Sequence, residues 1–281
     1  MGSVLESRYG SSYCMLKKLL PGPLSIFLFV VSANFLLAQP AGPKNDEKAE
    51  AILAKAVQVL GGDRYLRATS QYGRGKYSVL KEGAVVSFQT FADVIVYPNK
   101  ERTEFKVNGV KSVQTNVGDA GWVYDGDMDK IRDQNEKQVL DFKRSLRVSL
   151  DSLLRGQWRQ QATLSYVGRR PSTLGKRNDV IRLTFNDDGM VVEFEFAEDG
   201  VPAKAVYKRT TADGEEVTEE DRYAQFIDLD GIKAPFIIDR YTNGKQNSRI
   251  NYESIEFNKS IPDSVFAKPS SPKDLKKDLK L

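Results

Sequence analysis

The fold is decided by residues 181–196, which read IRLTFNDDGMVVEFEF. On both sides of the turn residues NDDG, apolar side chains alternate with polar or charged ones at every second position. A period of two is typical of a β-strand that buries one face and exposes the other. The segment therefore predicts two antiparallel strands joined by a tight turn.

The same pattern extends from Val180 to Phe266, with turn-forming dipeptides between the alternating runs. These dipeptides are Asp199-Gly200, Asp213-Gly214, Asp230-Gly231 and Asn243-Gly244. Asn-Gly and Asp-Gly accept the positive φ angles that tight hairpins require. Because no helical run long enough for a parallel crossover separates these strands, the sequence predicts an antiparallel meander.

A second group of strands is predicted upstream, beginning near Gly73. Its longest member, Ala84 to Tyr97, would span about 45 Å at ~3.3 Å per residue, which exceeds the usual length of a strand. We expect such a strand to bend, and strong bending lets a sheet wrap around a space.

Two helical patterns interrupt the strands. An N-terminal helix is predicted from Asn45 to Leu60, where two glycines end it. A mid-chain helix is predicted from the apolar spacing between Val139 and Leu153. The predicted fold class is therefore mainly β with α: a strongly curved antiparallel sheet, or half-open barrel, with an N-terminal helix and a mid-chain lid helix.

The N-terminal residues 1–38 are expected to be a signal peptide. Lys17 and Lys18 precede an apolar run that begins at Leu24, and the small residue Ala38 would mark the cleavage point. The alternative is a membrane anchor, but the run is short for the ~20 residues that a span needs. The predicted organisation continues with a linker at 39–44, a single domain at 45–268 and a flexible Lys-rich tail at 269–281.

Composition excludes several kinds of function. The chain has 42 Lys+Arg against 38 Asp+Glu, and no basic cluster interleaves with aromatic residues, so nucleic acid is not an expected partner. It has no His, and its lone Cys14 lies ahead of the apolar run, so the mature chain can hold no Ser-His, Cys-His or His-metal site. We expect neither an enzyme nor a cofactor.

Two groups of carboxylates were candidates for chemistry. Glu193 and Glu195 share one strand face, as a glycosidase pair would, although a solvated outer face explains them more simply. The second group has the spacing of the oxygen ligands in an EF-hand calcium loop, but lysine replaces the turn glycine and a strand precedes it. The candidate calcium ligands are Asp125, Asp127, Asp129, Asp133 and Glu136.

Three passages together resemble the periplasmic lipoprotein-sorting family, the LolA/LolB-like carriers. Residues 97–102, YPNKER, resemble the family's RP-x-x-x-R junction, with Tyr97 in place of its first arginine. Residues 118–125, GDAGWVYD, resemble its tryptophan-containing hairpin, and residues 261–266, IPDSVF, resemble its closing segment. The order of signal peptide, helix, long strands, inserted helix and further strands also agrees.

The resemblance implies a secreted, periplasmic protein that is not an enzyme. It implies an apolar cavity between the curved sheet and the lid, which binds and transports lipid or lipoprotein acyl chains. The alternative is an envelope module with a filled core that binds a protein or a polysaccharide. Other candidate contacts are an envelope protein partner and the membrane surface. The apolar pattern adds six candidate cavity residues: Val94, Val96, Phe105, Trp122, Phe142 and Leu146.

Overall fold

The structure is a computed structural model that describes residues 45–173, 175–211, 213–275, 279 and 281. The predicted signal peptide at 1–38 and linker at 39–44 lie outside these residues. Among the residues described, no helix has both the length and the apolar character that crossing a bilayer requires.

The described chain forms thirteen strands and four α-helices. The helices are α1 Glu47–Val59, α2 Asp63–Arg67, α3 Glu136–Val148 and α4 Leu150–Leu154. The strands are β1 Ser70–Lys81, β2 Ala84–Val96, β3 Lys100–Val107, β4 Val110–Val117, β5 Ala120–Asp125, β6 Lys130–Asp133, β7 Ala162–Pro171, β8 Arg177–Phe185, β9 Val191–Phe196, β10 Pro202–Thr210, β11 Glu216–Leu229, β12 Ile232–Thr242 and β13 Lys245–Phe257. Two short 3-10 turns follow at Asp263–Val265 and Pro272–Leu275.

All thirteen strands belong to one antiparallel sheet. Its order is β6-β5-β4-β3-β2-β1-β13-β12-β11-β10-β9-β8-β7, so two meanders meet where the first strand pairs with the last. The sheet does not close, since β6 and β7 form its two edges within the described chain. The prediction of an open, curved antiparallel sheet is confirmed. Because α3 and α4 connect the two edges, they must cross from one side of the sheet to the other.

Two glycines in β1 allow close packing at the centre of the sheet. A Cβ atom on Gly73 would lie 2.5 Å from Cε1 of Tyr252, and one on Gly75 would lie 2.2 Å from the carbonyl oxygen of Asn251. The register between β1 and β13 also shifts at Gly75, which is a bulge. Bulges and glycines bend strands, so this junction contributes to the curvature of the sheet.

The main hydrophobic core is centred on the β7–β10 end of the sheet and reaches Ile232 of β12. There α1, α4 and Trp158 pack against buried side chains such as Leu164, Ile181 and Phe194. The N-cap of α1 is Asp46 rather than the predicted Asn45, whose side chain instead accepts a hydrogen bond from the backbone of Leu164. Helix α1 therefore packs against one half of the sheet and contributes to its hydrophobic core.

The C-terminal segment, which follows β13, covers the outer face of the sheet at its β1–β5 end. Val265 and Phe266 pack with Tyr72 and Val94, and Leu279 and Leu281 join the same cluster. Leu275 is buried with Val113, Trp122 and Tyr124. The structure thus differs from the expected flexible tail, because leucines spaced along that segment find apolar partners on the outer face of β2 to β5.

Replacing Leu275 by alanine is expected to lower the free energy of unfolding by about 2–4 kcal/mol, because it leaves a cavity in a buried cluster. Leu275 is only 3% exposed, whereas Leu140, the matched control, is 52% exposed on α3. Urea titration of both variants measures the effect. Equal stability of Leu275→Ala and Leu140→Ala would mean that the segment does not pack on the sheet.

Candidate functional site

A cavity of about 550 Å³ lies between the concave face of the sheet and the segment α3–α4. Its walls come from β1, β2 and β3 on one side and from β10 to β13 on the other. Its size lies within the ~300–1,000 Å³ range of small-molecule sites. The side chains of the main core do not fill this cavity, so it remains open beneath α3 and α4.

The roof of the cavity is the mid-chain helix that the sequence predicted. Phe142, Leu146 and Val148 of α3 line the cavity, and Ser149 ends α3 and caps the start of α4. The helix also has a capping box at its start, where Asn135 caps the first turn. These caps hold a helix whose contacts with the sheet below are few.

Ion pairs tie α3 to both halves of the sheet. Lys143 pairs with Asp119 in the β4–β5 turn, while Arg147 pairs with Asp187 and Asp188 in the β8–β9 turn. Arg147 also lies 3.9 Å from the ring centre of Phe185. Exposed pairs of this kind contribute about 0–1 kcal/mol each, so they position the roof without locking it.

The cavity lining is apolar in part. Its apolar residues include Ile95, Ile238, Ile250, Ile255, Phe142 and Leu146. Isoleucines of β2, β12 and β13 thus face the two roof residues across the open space. Such a surface favours a hydrocarbon chain, since each buried methylene contributes ~0.8 kcal/mol.

The remaining lining is polar and charged, which the resemblance does not imply. Asp93 of β2 and Glu101 of β3 point into the cavity beside the hydroxyl of Thr103. Burial raises the pKa of Asp93 to about 8, and the neighbouring Glu101 carboxylate adds to that shift. Burial also raises the pKa of Glu101. This part of the cavity therefore holds protons that an exposed pair of carboxyl groups would release.

Cationic side chains on the far wall have their own partners. The Arg240 guanidinium lies 3.6 Å from Asp221, and its side chain, which lines the cavity, is 45% exposed. Arg209 contacts Glu219 at 2.6 Å, and Thr242 donates a hydrogen bond to the same carboxylate. The far wall is therefore close to neutral in charge.

Tyrosine side chains line the same cavity as the charged groups. The cavity is lined by Tyr77, Tyr97, Tyr207, Tyr223 and Tyr252. The ring of Tyr252 is held edge-on by Phe91 at 5.3 Å and by Phe236 at 6.4 Å. Tyrosines combine an apolar face with a polar tip, so they suit a ligand that has both characters.

Tyr97, which replaces the first arginine of the family junction, stacks on an arginine instead. The Arg155 guanidinium lies 3.7 Å from the centre of the Tyr97 ring and donates to the carbonyl oxygens of Leu66 and Ala68. Arg155 is the C-cap of α4. The junction at residues 97–102 therefore contacts the helical segment α3–α4, and the cation of this contact, Arg155, belongs to the helical segment.

Of the six predicted cavity residues, the structure places Phe142 and Leu146 in the lining. Val94 and Val96 belong to the cluster on the opposite face, under the C-terminal segment. This corrects the sequence prediction, because Asp93 and Ile95 alternate with them and occupy the concave side. Whether any of the six contacts a ligand stays a prediction.

The other two predicted residues also lie away from this cavity. Trp122 is buried with Val113 and Leu275, and its indole donates to the carbonyl of Phe266. Phe105 packs edge-on against Tyr77 at 6.0 Å without lining the cavity itself. Trp122 is therefore an anchor for the C-terminal segment, and Phe105 supports a lining tyrosine.

The candidate calcium ligands do not converge. Asp125 accepts hydrogen bonds from the backbone of Asp127 and Met128 within the β5–β6 turn, and Asp129 accepts one from Tyr124. The remaining two candidates lie beyond that turn: Asp133 ends β6, where Lys268 binds it, and Glu136 begins α3. Among the residues that the structure describes, no group of three or more acidic side chains could hold a metal. A hairpin, rather than a calcium loop, therefore explains the spacing.

The glutamate pair of β9 is bound to cations rather than solvated. Glu193 contacts Arg170 and Arg182, each at 2.6 Å. Glu195 is only 2% exposed and lies near Arg170 and Lys204. The expectation of a solvated face is thus wrong for Glu195, because long basic side chains of neighbouring strands cover it.

Sequence reasoning missed the polar residues of the cavity. One signal was available: Asp93 interrupts the apolar run 91–96, FADVIV. A charged residue inside a buried strand is costly unless it is paired or has a role, so it marks a site. No comparable local signal identifies Glu101 or Arg240, which lie on strands rich in charge.

Comparison with solved structures places this architecture among known folds. The chain aligns with a LolA superfamily protein from Nitrosomonas europaea at 15% identity and a TM-score of 0.53, covering 78% of this chain and 97% of that one. A domain from Vibrio parahaemolyticus, described as an outer membrane lipoprotein-sorting protein, aligns at 11% identity and a TM-score of 0.54, covering 82% of this chain and 100% of that one. No protein-family model matches the sequence, and no curated protein does. The resemblance to the LolA/LolB-like carriers is confirmed at the level of the fold.

Proposed function

We propose that this protein binds lipid or lipoprotein acyl chains in the cavity beneath α3 and carries them within the cell envelope, without catalysing a reaction. The supporting observation is the open space of about 550 Å³ between the concave sheet and the helical roof. An acyl chain lying against its apolar lining gains ~0.8 kcal/mol per buried methylene. The solved structures that share this fold come from a LolA superfamily protein and a lipoprotein-sorting domain.

The roof supplies a route for entry and release. Lys143 and Arg147 tie helix α3 to partners, Asp119 and Asp187, that are largely exposed, and its last residue, Val148, is buried in the main core. Such pairs form and break at little cost in free energy. The helix can therefore move away from the sheet to admit a chain and return over it.

The β1–β2 hairpin supports a transient contact with a membrane. Its tip exposes a group of apolar side chains on both faces: Val79, Val85, Val86 and Phe88, between 37% and 61% exposed. Exposed apolar groups of this kind mark contacts with membranes or partner proteins. A carrier needs such a contact where it collects or delivers its lipid.

The alternative, an envelope module that binds a protein or polysaccharide, predicted a filled core. The open cavity argues against that arrangement, because a space of about 550 Å³ lies between the sheet and the helices. A periplasmic location is part of the proposal and rests on the signal peptide expected at residues 1–38 and on the shared fold.

Native mass spectrometry of the protein purified from its own cell envelope tests the proposal. We expect a bound lipid that dissociates on collisional activation, and uptake of a fluorescent fatty acid by the delipidated protein. Denatured protein under the same conditions is the control. A clean unliganded mass together with no uptake would overturn the carrier function.

A further inference from the structure

Most of the charged side chains described in the cavity lining are paired, but two carboxyl groups are not. On the far wall Arg240 lies beside Asp221, and Arg209 binds Glu219. The cavity lysine, Lys100, extends outward to Asp263 at 2.8 Å. Asp93 and Glu101 remain, and within the described part of the chain neither forms an ion pair. Asp151, which lines the cavity from α4, lies 3.5 Å from Arg155, so the described carboxyl groups of the lining without an ion-pair partner are those on β2 and β3.

These two carboxyl groups also share a single donor. The Thr103 hydroxyl lies 2.8 Å from Oδ1 of Asp93 and 3.4 Å from Oε1 of Glu101. A hydroxyl has one proton and can donate to only one acceptor at a time. Asp93 is 7% exposed, so water replaces the missing donors poorly. Among described side chains the pair thus lacks an ion-pair partner within hydrogen-bond distance, and it shares one hydroxyl donor.

Aromatic rings surround the same region. Tyr77 and Tyr97 line the cavity on the side of β1 and β2, and Tyr252 lines it from β13. The Tyr252 ring sits directly over Gly73, which leaves no room for a Cβ atom. Tyrosine faces attract cations, and clusters of such faces bind ammonium groups.

We propose that the cavity selects amphiphiles with a cationic amine or quaternary ammonium head, which binds between Asp93, Glu101 and the tyrosine rings. This inference rests on the proposed carrier function and specifies its ligand class. The ammonium supplies the cationic partner that this carboxyl pair lacks, and a primary amine also supplies up to three donors. The hydrocarbon chain then occupies the apolar lining beneath Phe142 and Leu146.

The protonation of the pair supports this assignment. Burial, together with the Glu101 carboxylate, raises the pKa of Asp93 to about 8 in the empty cavity. A bound ammonium favours the ionised pair, so uptake releases a proton below that pH. The titratable and charged groups facing Asp93 from the packed elements are Glu101, Arg240, Tyr97 and Tyr252. Binding of a cationic amphiphile is therefore expected to tighten between pH 6 and pH 8.

Calorimetric titration with three probes of equal chain length tests the inference: dodecylamine, dodecanol and dodecanoate, each below its micelle concentration. The delipidated protein is expected to bind dodecylamine about tenfold or more tightly than dodecanol, since a buried carboxylate that gains a cationic partner discriminates strongly. Dodecanoate should bind more weakly than either. The variant Asp93→Asn/Glu101→Gln should lose the preference for the amine and keep the affinity for the alcohol.

The matched control is Glu253→Gln, which removes a carboxylate of β13 that pairs with Lys76 outside the cavity. It should leave all three affinities unchanged. Equal binding of amine and alcohol by the unmodified protein would overturn the headgroup assignment while leaving the carrier function intact. Binding of none of the three probes, fatty acid included, would overturn both. The comparison within the unmodified protein does not depend on the folding of any variant.

Discussion

Replacing Ile238 by tryptophan is expected to abolish lipid uptake while leaving the protein folded. Ile238 lines the cavity from β12 and is half-buried, because the open space begins at its side chain. An indole there would extend into the cavity rather than into a packed core, so the strain of overpacking is avoided. Uptake of a fluorescent fatty acid, measured with the circular dichroism spectrum of the same sample, checks the result.

The neighbouring position provides the control for this experiment. Ile237 precedes Ile238 on the same strand and therefore faces away from the cavity. Ile237→Trp introduces the same indole into the same strand, and we expect it to retain uptake. If Ile238→Trp bound the fatty acid as well as Ile237→Trp does, the lipid would occupy some other part of the protein.

Replacing Asp93 by asparagine is expected to raise the free energy of unfolding at about pH 8 by roughly 2 kcal/mol or more. The folded pKa of Asp93 is about 8, well above the value of ~3.9 in an unfolded chain. Between those values the folded state holds a proton that the unfolded state has released. Stability therefore falls as the pH rises from about 4 to about 8, by up to ~1.4 kcal/mol per pH unit.

The variant loses this pH dependence because an amide does not titrate. Wild-type protein and Asp93→Asn should have similar stability near pH 4 and diverge towards pH 8, as urea titrations at several pH values would show. Part of the pH dependence of the unfolding free energy remains in the variant, since burial raises the pKa of Glu101 as well. Asp127→Asn, the same change in the exposed β5–β6 turn, should follow the wild type at every pH. If Asp93→Asn left the pH dependence of the unfolding free energy unchanged, Asp93 would ionise as an exposed carboxyl group does.

The prediction for Asp93 depends on which face of β2 lines the cavity, and the alternation of residues did not reveal it. The strand has two buried faces: Asp93 and Ile95 line the cavity, while Val94 packs beneath Val265 and Phe266. An apolar face usually indicates the core of a sheet with one solvated side. Here the apolar face is the outer one, because residues far along the chain return to cover it.

The mid-chain helix illustrates the opposite case. The spacing of Phe142 and Leu146 predicted a helix, and its position between two groups of strands predicted a cover for the sheet. Local capping explains its ends, since Asn135 begins α3 and Ser149 separates it from α4. These features depend on residues within one or two helical turns, so they are present in the sequence.

The sequence by itself determined the strands, their antiparallel order, the bend and the helical roof, because each follows from contacts between residues close along the chain. Only the tertiary structure decided what the cavity contains. Asp93 and Glu101 meet through the hairpin of β2 and β3, but Arg240 comes from β12, and it faces them only because β1 pairs with β13. The balance of charge across that space therefore depends on a pairing between the two ends of the chain.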